Sequence, residues 1–77
     1  MPNPTEAACK SESLIKQYVD SMGCKSPDDV RKVLEMLISK SARAIEKCAD
    51  NEAAIGVIER TRKQIELNPM PMPNKLH

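Results

Sequence analysis

The chain contains no phenylalanine, no tryptophan and a single tyrosine, Tyr18, among its 77 residues. The aromatic surfaces that supply much of the buried area in small domains are missing, so any core must be packed from aliphatic side chains. At this length one core lies close to the limit of independent stability. The only histidine, His77, is the last residue, which removes the usual acid-base group of neutral pH from the body of the chain. Cys9, Cys24 and Cys48 are odd in number and widely spaced. That argues against a disulfide framework and against a zinc site built on close cysteine pairs. No neighbouring base marks any of them as a nucleophile. Cys48 falls on an apolar stripe and reads as a small core residue, while Cys9 and Cys24, near helix ends, read as exposed thiols. A non-enzymatic protein without cofactor or metal is therefore expected.

An excess of charge of either sign is lacking too. Twelve Lys and Arg against eleven Asp and Glu leave a net charge of +1, so no global field steers the chain toward nucleic acid or an anionic membrane. Met1-Pro2-Asn3-Pro4-Thr5-Glu6 has neither the basic nor the apolar region of a signal peptide, and the longest apolar run, Ala53 to Ile58, is far short of a membrane span. The expectation is a cytoplasmic protein that does not engage a membrane.

What is present is helical periodicity between two proline-punctuated ends. The reading is a flexible N-terminus over 1–4, one helical domain over 5–67 and a Pro/Met-rich tail over 68–77. Thr5 is placed as the cap of a first helix at about 5–22, in which Leu14, Ile15, Tyr18, Val19 and Met22 recur at three-and-four spacing before Gly23 stops it. Ser26-Pro27-Asp28-Asp29 is the clearest start signal in the chain: a side-chain cap, a proline at the first helical position and two carboxylates at the positive end of the helix dipole. The stripe that follows is Val30, Val33, Leu34, Leu37, Ile38, Ala44, Ile45 and Cys48, with Asp28 and Lys32 placed to pair on the outer face. A further apolar segment carries Ile55, Ile58 and Ile65 and ends at Asn68-Pro69.

Residues 46–56, Glu-Lys-Cys-Ala-Asp-Asn-Glu-Ala-Ala-Ile-Gly, decide the architecture. With Leu34 at position a, heptad positions a and d continue without a slip through Leu37, Ser41, Ala44, Cys48, Asn51, Ile55, Ile58, Arg62 and Ile65. That phase favours a single helix over 27–67, about 60 Å long at 1.5 Å per residue, in a coiled coil. Against it, Ser41, Asn51 and Arg62 are three polar residues in one seam. The acids Asp28 and Asp29, the bases Lys40, Arg43 and Lys47, the acids Asp50 and Glu52 and the bases Arg60, Arg62 and Lys63 also follow one another as two acid-to-base gradients. Asp50 is an apt cap for a separate helix, and small residues around it would let two backbones approach. The adopted expectation is all-α: a small three-helix domain, about 5–22, 27–48 and 51–67, with a helical hairpin and dimeric, the long helix 27–67 being the alternative.

The candidate dimer and core stripe is Leu14, Ile15, Tyr18, Val19, Val30, Leu34, Leu37, Ile38, Ile45, Ile55, Ile58 and Ile65. The candidate basic contact patch is Lys40, Arg43, Lys47, Arg60, Arg62 and Lys63. The functional reading is a protein-protein interaction module, a regulatory adaptor or inhibitor, that homodimerises by burying aliphatic surface left over from the first two helices and holds another protein on an exposed face. The alternative is a small DNA-binding transcriptional regulator using the basic face around Arg60 to Lys63. It is weakened by the near absence of aromatic surface and by basic residues being expected at helix C-termini in any case. Met70 and Met72 in the tail offer flexible apolar contacts, although the simplest account of the prolines is that they stop the last helix.

Overall fold

The computed structural model of the protein describes residues 2–71. These residues form three α-helices, α1 (Pro4–Ser21), α2 (Pro27–Cys48) and α3 (Asn51–Leu67), with no strand among them.

Each helix starts where a short polar side chain meets the orphan amides of a first turn. At α1 the cap is Asn3, not Thr5: its Oδ1 accepts from the amides of Thr5 at 2.8 Å and Glu6 at 3.2 Å, and Pro4 takes the first helical position. Asn3 stands one residue before a proline, where extended backbone is favoured, and a cap needs that conformation. The helix closes at Met22, followed by Gly23 at φ +66°. Only glycine takes this left-handed turn without steric cost. At α2 the Ser26 hydroxyl accepts from the Asp29 amide at 3.1 Å, while the Asp29 carboxylate reaches back to the Lys25 amide at 3.0 Å. This reciprocal pair is a variant of the capping box.

At α3 the cap is Asp50. Its backbone is extended (φ −168°, ψ 177°), and its Oδ1 accepts from the Ala53 amide at 2.6 Å. α2 therefore ends at Cys48 and α3 begins at Asn51, and the continuous helix 27–67 does not form.

The chain packs as two compact units, Met1–Ser39 and Lys40–His77, the division falling inside α2. In the first unit, Tyr18 and Val19 of α1 and Val30, Val33, Leu34 and Leu37 of α2 are half-buried. The Tyr18 hydroxyl donates to the Val33 carbonyl at 3.1 Å, which ties the two helices together. In the second unit, the half-buried positions are Ala42, Ile45 and Glu46 on α2 and Ala53, Gly56 and Val57 on α3. Ala54, 8% exposed, is the one buried residue among those described. The sequence places Ala44 and Cys48 on the packed stripe, but both are exposed. The heptad phase does not survive past Leu37, because the positions that turn inward are 42, 45 and 46 in place of 41, 44 and 48.

Two outcomes follow for stability. Asp50→Ala removes the α3 cap and is expected to cost about 1 kcal/mol, whereas Asp50→Asn keeps an acceptor and should cost much less, as read by chemical denaturation. Gly56 is helical, and a methyl group there would meet only the movable end of the Arg60 side chain, at 3.2 Å. Gly56→Ala should therefore stabilise the protein by roughly 0.5–1 kcal/mol, the ordinary helix preference of alanine over glycine. A loss of stability in the same denaturation experiment would show that the site is tighter than this geometry.

Candidate functional site

The twelve stripe residues fall into two groups. Tyr18, Val19, Val30, Leu34, Leu37 and Ile45 are half-buried and pack within their units. Leu14, Ile15, Ile38, Ile55, Ile58 and Ile65 are exposed, Ile65 by 65%. Met22, Met36, Leu67 and Met70 add to the open apolar surface.

The division is sharpest on α3. At about 100° per residue, Ala53, Ala54, Gly56 and Val57 share one face, while Ile55, Ile58, Arg62 and Ile65 share another roughly 140° away. The small face is the one that packs. Two residues, Ala49 and Asp50, connect α2 to α3, and the face of α3 that packs carries small side chains, Ala54 buried and Ala53, Gly56 and Val57 half-buried. The isoleucines are left pointing outward.

The six basic residues are all exposed. Lys40, Arg43 and Lys47 lie on one side of α2 by their spacing of three and four. Arg60 and Arg62 do not share a side of α3, since two residues turn a helix by about 200°. Two of the guanidinium groups are also engaged locally. Arg43 Nη1 donates to Glu46 Oε1 at 2.8 Å. Arg62 binds Glu59 at 3.3 Å and Glu66 at 3.0 Å on its own helix. Positive charge on α3 is thus interleaved with carboxylates and does not form a continuous basic face.

A polar cluster closes the α2–α3 corner. The half-buried carboxylate of Glu46 accepts from Asn51 Nδ2 at 2.9 Å as well as from Arg43. The Asn51 hydrogen bond first, and the Arg43 guanidinium second, hold the Glu46 carboxyl below the usual glutamate range. At the start of α2, hydrogen bonds from Arg31 and Lys32 likewise lower Asp28, and Asp28 raises Arg31 in return. The expected Asp28–Lys32 pair is present at 3.4 Å. Arg31 joins it at 3.1 Å and extends the cluster to Glu35; these partners are exposed and add little stability.

Of the cysteines, Cys9 is exposed, Cys24 is half-buried and Cys48 is exposed. The sequence reading reverses the last two, because Cys48 lies roughly 110° around α2 from the centre of the half-buried face of Ala42, Ile45 and Glu46. Near the C-terminal end of α3, Gln64, Ile65, Asn68 and Met70 line a shallow, solvent-open groove of about 630 Å³. Met70 is 89% exposed there, and Met72 and His77 lie outside the described residues. Among the described residues, no helix is long and apolar enough to cross a membrane.

No family model matches the chain, and neither a curated protein nor a solved structure is detectably similar to it.

The Glu46 cluster has a pH signature. A carboxyl lowered in the folded state adds stability above its unfolded-state pKa, and that contribution is lost as pH falls through the folded value. In a carboxyl carbon NMR titration, Glu46 should take up its proton at lower pH than an ordinary glutamate. Asn51→Ala, by removing the largest cause, should move it back upward. Identical Glu46 titrations in the two proteins would mean that Asn51 does not hold the carboxylate in solution.

Proposed function

We propose that this protein is a non-enzymatic helical interaction module that works in the cytoplasm as a homodimer and binds or inhibits another protein. The observation that carries this reading is the contrast between a single buried residue, Ala54, and ten exposed large hydrophobic residues in the described part of the chain. Full burial of an Ile, Leu or Met side chain is worth roughly 1.5–3 kcal/mol. Surface left open on this scale by a chain with no aromatic core is stabilised most directly by association. A shared apolar face such as that of Ile55, Ile58 and Ile65 also marks a contact surface for other proteins.

The DNA-binding alternative rests on Lys40, Arg43, Lys47, Arg60, Arg62 and Lys63. Two of these six are neutralised by carboxylates on their own helices, so geometry gives it no added support.

The test is sedimentation velocity across about 1 to 100 µM, a range that covers weak to moderate self-association. A dimer population that grows with concentration is expected. A monodisperse, stably folded monomer throughout would remove the homodimer from this reading. For the alternative, binding to duplex DNA that falls steeply with salt, and is lost when Arg60, Arg62 and Lys63 are all made neutral, would replace it.

A further inference from the structure

One apolar face that packing within its unit leaves unused is the outer face of α3. Its four positions, Ile55, Ile58, Arg62 and Ile65, are spaced three, four and three. That spacing reads the same from either end. Two such helices laid antiparallel and crossing near position 60 set Ile55 of each against Ile65 of the other, and Ile58 of each against Arg62 of the other. Every apolar position then meets an apolar group, since the stem of an arginine covers hydrophobic surface while its head stays wet. A parallel pairing in register would instead stack Arg62 on Arg62 in the middle of the seam, like charge on like.

The flanks decide what meets at the axis. On one edge of the seam stand Glu52, Glu59 and Glu66, seven residues apart. In the antiparallel pair both copies of Glu59 come to the twofold axis, where each faces Arg62 of the other copy. The Arg62 guanidinium is already held on this side by Glu59 and Glu66 of its own helix. The centre of the pair is therefore two carboxylates and two guanidinium groups in alternation, with no net charge. Glu52 and Glu66 oppose each other only at the outer rim, where water and salt screen them. On the other edge stands the exposed Thr61, Ala54 at the same edge being packed inside its own unit. The Thr61 hydroxyl donates to the Val57 carbonyl at 2.9 Å, so it approaches the axis with its donor satisfied.

We infer that the outer face of α3 is the self-association surface, pairing antiparallel with the same face of a second copy about a twofold axis beside Thr61. This rests on the homodimer reading above, moves its surface from the first two helices to α3, and fixes the orientation.

Cross-linking of the full chain tests it, with Cys9, Cys24 and Cys48 first replaced by serine. In that background Thr61→Cys places the two thiols beside the axis and should form a disulfide-linked dimer under mild oxidation. Ile65→Cys alone should not, because Ile65 faces Ile55 of the second copy, but a mixture of Ile55→Cys and Ile65→Cys chains should link. Linking of Ile65→Cys to itself as readily as Thr61→Cys indicates parallel pairing and overturns the inference. A sedimenting dimer that Thr61→Cys fails to link overturns it as well, and leaves the homodimer reading standing on another surface. A monomer in sedimentation overturns both, and would leave the seam to a helix of another protein, one with basic residues facing Glu52, Glu59 and Glu66. With all three native cysteines present, Arg62→Glu brings four carboxylates to the axis and should weaken the dimer at least about tenfold. Exchanging the pair, with Glu59→Arg added to Arg62→Glu, should restore it. Unchanged association in the single variant would also overturn the inference.

Discussion

One short hydrogen bond governs the second half of this chain, the Asp50 carboxylate accepting the Ala53 amide at 2.6 Å. The heptad phase argues for continuation, since it passes through residues 48–51 without a slip. Continuing would hold Asp50 and Asn51 in a helix interior, where each is worse than alanine by about half a kcal/mol. Stopping places both where they are useful. Asp50 satisfies an orphan amide, worth about 1 kcal/mol, and Asn51 reaches back to Glu46 at 2.9 Å. Polar geometry at two residues thus outweighs a hydrophobic register that spans thirty.

The break then selects which side chains can pack. A connection of two residues sets the end of α2 beside the start of α3, and on α3 it is alanine, glycine and valine, not isoleucine, that turn inward. Ala54 is buried, whereas Ile55 beside it is 54% exposed. The result is a tight corner with little area in it. Area sets the size of the hydrophobic contribution, and small side chains bring little of it. The larger apolar side chains of α3 are left facing outward, and Leu14, Met36 and Ile38 are open in the first unit as well.

The helix starts were legible because they depend on nearest neighbours. Ser26-Pro27-Asp28-Asp29 and Asp50-Asn51-Glu52 announce caps that the backbone then uses. Asn3-Pro4-Thr5-Glu6 carries the same cap, proline and acid order, and reading it by that rule gives Asn3 in place of Thr5. The packed face of the first unit was legible in part: Tyr18, Val19, Val30, Leu34 and Leu37 keep helical spacing and are half-buried, whereas Leu14, Ile15 and Ile38, on the same expected stripe, are exposed. The packed face of α3 was not. Periodicity weighs isoleucine above alanine, and nothing in the spacing of Ile55, Ile58 and Ile65 states how near the neighbouring backbone will come. Cys48 and Ala44 were misplaced for the same reason, by carrying a heptad phase across a point where packing changes. Gly56 and the alanines around the corner were the available signal, but alanine's helix preference explains them equally well until the corner is seen.

Charge plays a local part in all of this. Each of the seven ion pairs among the described residues joins positions three or four apart on one helix. Such pairs support helices by a few tenths of a kcal/mol each and say little about how helices meet. Contacts between elements rest instead on neutral or mixed hydrogen bonds, Tyr18 to Val33 and Asn51 to Glu46. A chain in which Arg31, Arg43 and Arg62 are answered by carboxylates one turn away presents a surface of alternating sign at those positions. It has little long-range pull on a polyanion and little repulsion toward a second copy of itself. What such a surface leaves for recognition is its apolar positions, and the order in which charges flank them decides which partner can approach.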